Sequence, residues 1–164
     1  MNAREGIVAV ITALRDAGIE FTMVGGHVVI SYGVIRLTKD ADFVVELGDR
    51  TIGAVAQRLP AELILDPQAT FESATGTTYY KLRTRDGKFV MELFLLSDDA
   101  HDQKRFERRI NLDAFGLKVP MLTLEDLIVT KLRWSARRRC RTTCRARRGR
   151  SGRAPAACPS TGGA

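Results

Sequence analysis

Near the N-terminus, Ile7, Val10, Ile11 and Leu14 recur at spacings of three and four, which predicts a helix over Asn2 to Ala17 with Gly18 as its C-terminal cap. Phe21 to Val24 is a short apolar run that reads as a buried strand and leads into the flexible turn Gly25-Gly26. His27 to Tyr32 predicts a short helix packed on a sheet, ended by Gly33, and a loop over Val34 to Lys39 follows. The β-branched run in Asp40 to Leu47 predicts a strand, and Thr51 to Leu59 a helix stopped by Pro60. Thr77 to Thr84 alternates in the manner of a strand, Asp86-Gly87 is a hairpin turn, and Lys88 to Leu96 is the returning strand. A charged surface helix is predicted over Asp102 to Ile110, then a short strand or turn over Gly116 to Val119 before Pro120. Thr123 with Asp126 forms a capping-box variant opening a helix through Trp134, with Leu124, Leu127, Ile128 and Leu132 on its apolar face. Helices and strands alternate and a hairpin follows, so the fold class is α/β or α+β with a mixed central sheet flanked by helices.

Composition changes this picture at one end. The chain of 164 residues carries 26 Lys+Arg against 19 Asp+Glu, a net of +7, which suggests a nucleic-acid binder. Nine of the arginines lie in residues 135–164, where there is no Lys and no acid, so the first 134 residues carry 17 basic and 19 acidic groups and a net charge of −2. One globular domain over 1–134 is therefore expected, with an Arg-rich tail over 135–164. The tail lacks Leu, Ile, Val, Met, Phe, Tyr and Trp, so no apolar burial offsets the roughly 1–2 kcal/mol per residue of ordering entropy, and disorder is expected. Its residue types all have GC-rich codons, and the abrupt change from Glu125-Asp126-Leu127-Ile128 patterning to Arg137-Arg138-Arg139 points to a frameshift near Arg139. An Arg-rich arm for RNA or phosphate is the functional alternative. Cys140, Cys144 and Cys158 all fall in this tail, with a spacing poorly suited to structural zinc. No apolar run approaches a membrane span and the N-terminus lacks signal-peptide features, so a cytoplasmic protein with no membrane partner is expected.

The chemistry concentrates in Gly25-Gly26 and in Arg36-Leu37-Thr38-Lys39-Asp40-Ala41-Asp42. On a strand, residues i and i+2 share a face, so Asp40 and Asp42 present two carboxylates about 6–7 Å apart. Such a pair repels unless a cation lies between, and a hard divalent ion such as Mg²⁺ suits it. Glu92 is the acid inside the apolar run Val90 to Phe94 and shares a face with both of those residues. Either a metal or a pairing with Lys81, Arg83 or Arg85 on the facing strand accounts for it.

Gly-Gly, a helix, then Arg-x-Thr-x-Asp-x-Asp opening a strand, with a further carboxylate two strands on, resembles the nucleotidyltransferase fold of the DNA-polymerase-beta superfamily. Within it the similarity is to minimal bacterial nucleotidyltransferases related to abortive-infection toxins, over roughly Gly18 to Trp134. The resemblance implies that Gly25 and Gly26 cradle nucleotide phosphates, that Arg36 and Thr38 contact phosphate or order the loop, and that Lys131 meets the triphosphate. It implies further that Asp40, Asp42 and Glu92 are both the metal ligands and the catalytic carboxylates. Two Mg²⁺ ions, replaceable by Mn²⁺, would serve transfer of a nucleoside monophosphate from a nucleoside triphosphate such as ATP to a hydroxyl acceptor, with release of pyrophosphate. The acceptor would be tRNA, another RNA or a protein, and an antitoxin would be a partner if the chain is a toxin.

The sequence departs from the family at three places. Gly26 stands where Ser is frequent, Glu92 stands where Asp is usual, and the Arg-rich tail replaces helical, acid-containing sequence beyond Lys131. Two alternatives stay open: an antibiotic-modifying nucleotidyltransferase, and a catalytically decayed nucleotide- or RNA-binding relative.

Overall fold

The computed structural model describes residues 1–38, 40–72, 76–133 and 135. The expectations for the tail, including disorder, the frameshift and the cysteines, fall outside the described residues, apart from Ser135.

The first helix, α1, spans Ala3–Asp16. Asn2 caps it through a reciprocal box, its Oδ1 accepting from the Glu5 N–H at 2.9 Å while Glu5 Oε2 accepts from the Asn2 N–H at 2.9 Å. Strand β1 (Glu20–Val24), helix α2 (Gly26–Ser31) and strand β2 (Asp40–Glu46) follow as the pattern predicts. Helix α3 is shorter than predicted, Ile52–Ala56, with Gln57 as its C-cap and Arg58 and Leu59 held by turn-type hydrogen bonds. Strands β3 (Leu63–Leu65) and β4 (Thr70–Glu72) were not anticipated, whereas the hairpin of β5 (Thr77–Thr84) and β6 (Val90–Leu95) was.

Three predictions need correction. Helix α4 runs over Ala100–Glu107 rather than Asp102 to Ile110: the Asp99 carboxylate accepts from the N–H groups of His101 and Asp102 at 3.0 and 3.3 Å and so starts the helix earlier, and Arg108 is its C-cap. Ile110 instead opens β7 (Ile110–Ala114), paired with β8 (Leu117–Met121) through a turn in which Phe115 and Gly116 both have positive φ. Pro120 does not follow β8 but lies within it. The register joins β8 to β1 at Met23 and Met121, so the missing proline N–H does not interrupt a long ladder on that side.

The third correction concerns the last helix, α5, over 124–133. Its Thr123–Asp126 cap forms as predicted, but of the predicted apolar face only Leu127 is buried, while Leu124, Ile128 and Leu132 are 42%, 50% and 62% exposed. Polar contacts turn the helix. Arg108 grips the buried Asp126 carboxylate through two N–H groups at 2.6 and 3.1 Å, and Arg105 donates to Thr130 Oγ1 at 2.7 Å. These charge-assisted bonds hold the Asp126 and Thr130 side of α5 against α4.

The strands form one mixed sheet in the order β3-β5-β6-β2-β1-β8-β7, with β4 on the far side of β5. Alternation divides its two faces. Phe21, Met23, Ala41, Phe43, Met91 and Leu93 point toward α1 and α2 into the main core. Val24, Val44 and Phe94 point the other way and meet Phe106 of α4 and Leu122 in a smaller cluster. The second face therefore carries Asp40, Asp42 and Glu92.

Phe43 is fully buried and meets Phe21 edge to face at 6.1 Å. Phe43→Ala is expected to cost about 3–5 kcal/mol in urea denaturation. Leu132→Gln, on the exposed side of α5, is expected to change stability by less than about 0.5 kcal/mol, and a loss comparable to that of Phe43→Ala would reverse the orientation of the helix.

Candidate active site

Register builds the site. β2 runs antiparallel to β1 with Asp42 opposite Val24, and parallel to β6 with Asp42 opposite Glu92. The two strands that flank Asp42 thus deliver Gly25, one residue beyond Val24, and the Glu92 carboxyl. Gly25 has φ +75, and a Cβ there would overlap Asp42 Oδ2 and stand 3.0 Å from its Cγ. At Gly26 a Cβ would lie 2.5 Å from Thr38 Oγ1 and 2.9 Å from Thr38 Cβ. Both glycines are therefore required by close approach, one to the carboxylate and one to the loop before β2.

Thr38 ties that loop to the first acid, its hydroxyl donating to Asp40 Oδ1 at 2.9 Å. Burial pushes the Asp42 carboxyl up from 3.8 to about 7, with further increments from Asp40 and then Glu92, while Lys131 and Arg36 pull it down. These four groups thus act on Asp42 through space, although Lys131 comes from α5 and Arg36 from the α2–β2 loop. The Glu92 carboxyl is also raised, first by burial, with Lys81 opposing and Asp40 and Glu72 adding to the rise. Lys81 Nζ stands 4.0 Å from Glu92 Oε1, so the pairing considered from the sequence is present and is long. Among the described residues no three acidic, His or Cys side chains are gathered tightly enough to cage a metal ion. Asp40 turns to Thr38 and Glu92 leans toward Lys81, while Asp42 stays between them.

The donor set nonetheless suits a hard divalent cation. Three carboxylates share one sheet face, and the central one resists ionisation because it is buried and lies beside two other acids. His27 belongs elsewhere. Its ring packs edge to face on Phe115 at 5.6 Å and Phe89 at 6.5 Å, and burial lowers its pKa against the opposing pull of Asp40.

Sequence reasoning did not anticipate a cavity of about 300 Å³ that shares Gly25 and Lys131 with this site. Its lining includes Gly25 and Lys131, Val44 and Phe94 of the sheet, and Arg105 and Arg133 from the helices. Asp102 bridges to Arg105 at 3.3 Å and to Arg133 at 3.9 Å, and its Oδ2 accepts the Ser97 hydroxyl at 2.6 Å. Asp99 and Asp102 owe their ion pairing to the placement of α4 against α5, which brings Arg133 within reach of both.

The family described as "Nucleotidyl transferase of unknown function (DUF2204)" matches residues 3–141. Among solved structures, a candidate nucleotidyltransferase from Thermotoga maritima is similar at a TM-score of 0.65 and 13% identity, covering 92% of this chain and 97% of that one, which establishes a shared fold. Two Helicobacter pylori structures, a candidate nucleotidyltransferase and JHP933, match at a TM-score of 0.47 with 20% and 21% identity, each covering 78% of this chain. The chain spans about half the length of these two, 55% and 53%. No curated protein matches the sequence. Among the described residues no helix is long and apolar enough to cross a membrane.

The raised Asp42 pKa fixes a pH dependence. Between about pH 4 and 7 the folded chain holds a proton that the unfolded chain has released, so the stability from this group is full below pH 4 and is lost as pH rises through 7. Asp42→Asn should therefore gain in melting temperature over the wild type from pH 5 to pH 8 in EDTA, and a gap that shrinks with pH would contradict the burial of Asp42. Gly25→Ala should cost about 1–3 kcal/mol through backbone strain alone, measured by urea denaturation, and more where the Asp42 carboxylate must move.

Proposed function

Because the chain belongs to the family of nucleotidyl transferases of unknown function, we propose that it moves a nucleoside monophosphate from a nucleoside triphosphate to a hydroxyl acceptor, with release of pyrophosphate. The observation that carries this reading is the contact of Gly25 with Asp42, itself in register with Glu92. It sets a glycine turn, a carboxylate pair and a third carboxylate on one sheet face. Asp40, Asp42 and Glu92 would hold Mg²⁺ or Mn²⁺, which supplies charge neutralisation of the triphosphate and Lewis acidity at the phosphoryl group.

The chain's own residues account for the rest. The turn at Gly25 and Gly26 leaves room for phosphate oxygens to approach backbone N–H groups. Lys131 and Arg36 carry positive charge toward the same place and would hold the triphosphate, with Thr38 keeping the loop and Asp40 in position. In the reaction an acceptor oxygen forms a bond to the α-phosphorus, the bond to the β-phosphate oxygen breaks, and pyrophosphate leaves with its electron pair. The acceptor proton passes to a carboxylate, and Glu92, with its raised pKa, is the group suited to take it. A cytoplasmic setting, tRNA or another RNA as acceptor, and a toxin role opposed by an antitoxin extend this reading on the strength of the family resemblance.

Incubation with radiolabelled nucleoside triphosphates, total tRNA and Mg²⁺ should place label in RNA. Asp40→Ala with Asp42→Ala should reduce it to background while leaving the melting temperature unchanged or higher, since a repelling pair is removed. Lys131→Ala should lower the rate by about 10²–10³ with the fold intact. Label found only on an added aminoglycoside or lincosamide would move the acceptor to a small molecule. No label on any acceptor with Mg²⁺ or Mn²⁺ would leave only a nucleotide-binding relative.

A further inference from the structure

A chain of polar contacts crosses the molecule from the strand that carries Glu92 to the helix that carries Lys131. Ser97, two residues past the end of β6, donates its hydroxyl to Asp102 Oδ2 at 2.6 Å. The other Asp102 oxygen meets Arg105 Nε at 3.3 Å. Arg105 Nη1 donates to Thr130 Oγ1 at 2.7 Å, and that hydroxyl donates in turn to the Asp126 carbonyl at 2.7 Å. The Gln103 side chain fastens the start of the chain by donating to the Ser97 carbonyl at 2.8 Å. Arg105 and Thr130 are 8% and 5% exposed, so the central bond lies out of water.

We propose that Arg105 and Thr130 are positioning residues for Lys131: the chain that begins at Ser97 sets where the Lys131 ammonium stands, without itself touching the triphosphate. The inference rests on the nucleotidyltransferase reading, which gives Lys131 the triphosphate, and adds to it what holds Lys131 in place. Three observations support it. Thr130 directly precedes Lys131, so fixing its side chain fixes the backbone from which the lysine stem departs. α5 has little else to hold it there, since it buries Leu127 and exposes Leu124, Ile128, Val129 and Leu132, while Arg133 reaches Asp99 and Asp102 only at 3.6 and 3.9 Å. A lysine is a point charge on a flexible stem, so its useful reach is set by its backbone, and a misplacement of about 1 Å far from the chemistry costs up to about 10²-fold. The buried ion pair of Arg105 and Asp102 is also poorly explained by stability, because apolar side chains of similar volume join two helices as well or better. What the polar chain adds is a fixed relation between β6, which bears one part of the site, and α5, which bears another.

Calorimetry with inorganic tripolyphosphate and Mg²⁺ tests the positioning apart from the reaction. Thr130→Val, which keeps the volume and removes the hydroxyl, should weaken binding about tenfold or more, and Thr130→Ser, which keeps the hydroxyl, should bind as the wild type does. In a Lys131→Ala background Thr130→Val should have no further effect, since no ammonium is left to misplace. An equal loss in both backgrounds is a purely structural role and would overturn the proposal. In the wild type, side-chain NMR should show the ε-methylene signals of Lys131 moving on addition of tripolyphosphate while the Arg105 Nε–H signal stays in place, a readout that needs no variant to fold. Because Arg105 lines the same cavity as Lys131, direct contact is the rival, and a larger movement at Arg105 than at Lys131 would establish it against the proposal. Binding that depends on Lys131 and is indifferent to Thr130 sinks the proposal and leaves the nucleotidyltransferase reading intact. Wild-type protein that binds no tripolyphosphate with Mg²⁺ sinks both.

Discussion

Asp42 can lie where it does because Gly25 has no side chain. That single steric allowance, on a residue at positive φ, sets how far β1 can extend before the chain turns, and it brings the turn against the carboxylate rather than beside it. The rest of the site follows from it. With Asp42 held between β1 and β6, Asp40 must point to the same face, Glu92 must lie alongside, and the loop carrying Arg36 and Thr38 must pass over Gly26. The cost is electrostatic. Asp42 is buried on a face it shares with two other acids, Lys131 and Arg36 offset only part of this, and the central carboxyl retains its proton to about pH 7.

The two faces of the sheet divide the work. One buries Phe43, Met91 and Leu93 under α1 and α2, which gives the strands their register. The other is only partly covered, because Phe106 and Leu122 protect Val24, Val44 and Phe94 while leaving an opening at the carboxylates. Helices α4 and α5 hold that opening at a fixed width. The bonds of Arg105 to Thr130 and of Arg108 to Asp126 join the two helices, and Lys131 is carried along one residue from the anchor.

Much of this was legible in the chain. α1, the Gly25-Gly26 turn, the strand opened by Asp40 and Asp42, and the hairpin with Glu92 all carry strong local patterns, and the structure places them together. Three-residue strands such as Leu63–Leu65 and Thr70–Glu72 are too short to show a period, and they exist because β5 offers them an edge. Ile110 looked like the end of a charged helix because nothing local distinguishes it from the start of β7. The orientation of α5 differs from the reading of its stripe: Leu124, Ile128 and Leu132 are spaced as one helical face, yet the side that turns inward carries Leu127, Asp126 and Thr130, the last two bonded to Arg108 and Arg105 of the neighbouring helix segment. The cavity was invisible in sequence, since its walls come from six separate segments.

The parallel pairing of β2 with β6 also bears on how the molecule folds. Parallel neighbours cannot be joined by a tight turn, and here α3 and the β3–β5 meander intervene between Asp42 and Glu92. Closing so long a loop carries an entropic cost before any contact repays it, and at the end of the closure two like charges meet. Formation of the site is accordingly a non-local event, whose closure cost slows folding. Changes in the meander, far from any chemistry, then act on how fast a competent site appears, with little effect on how the finished site works.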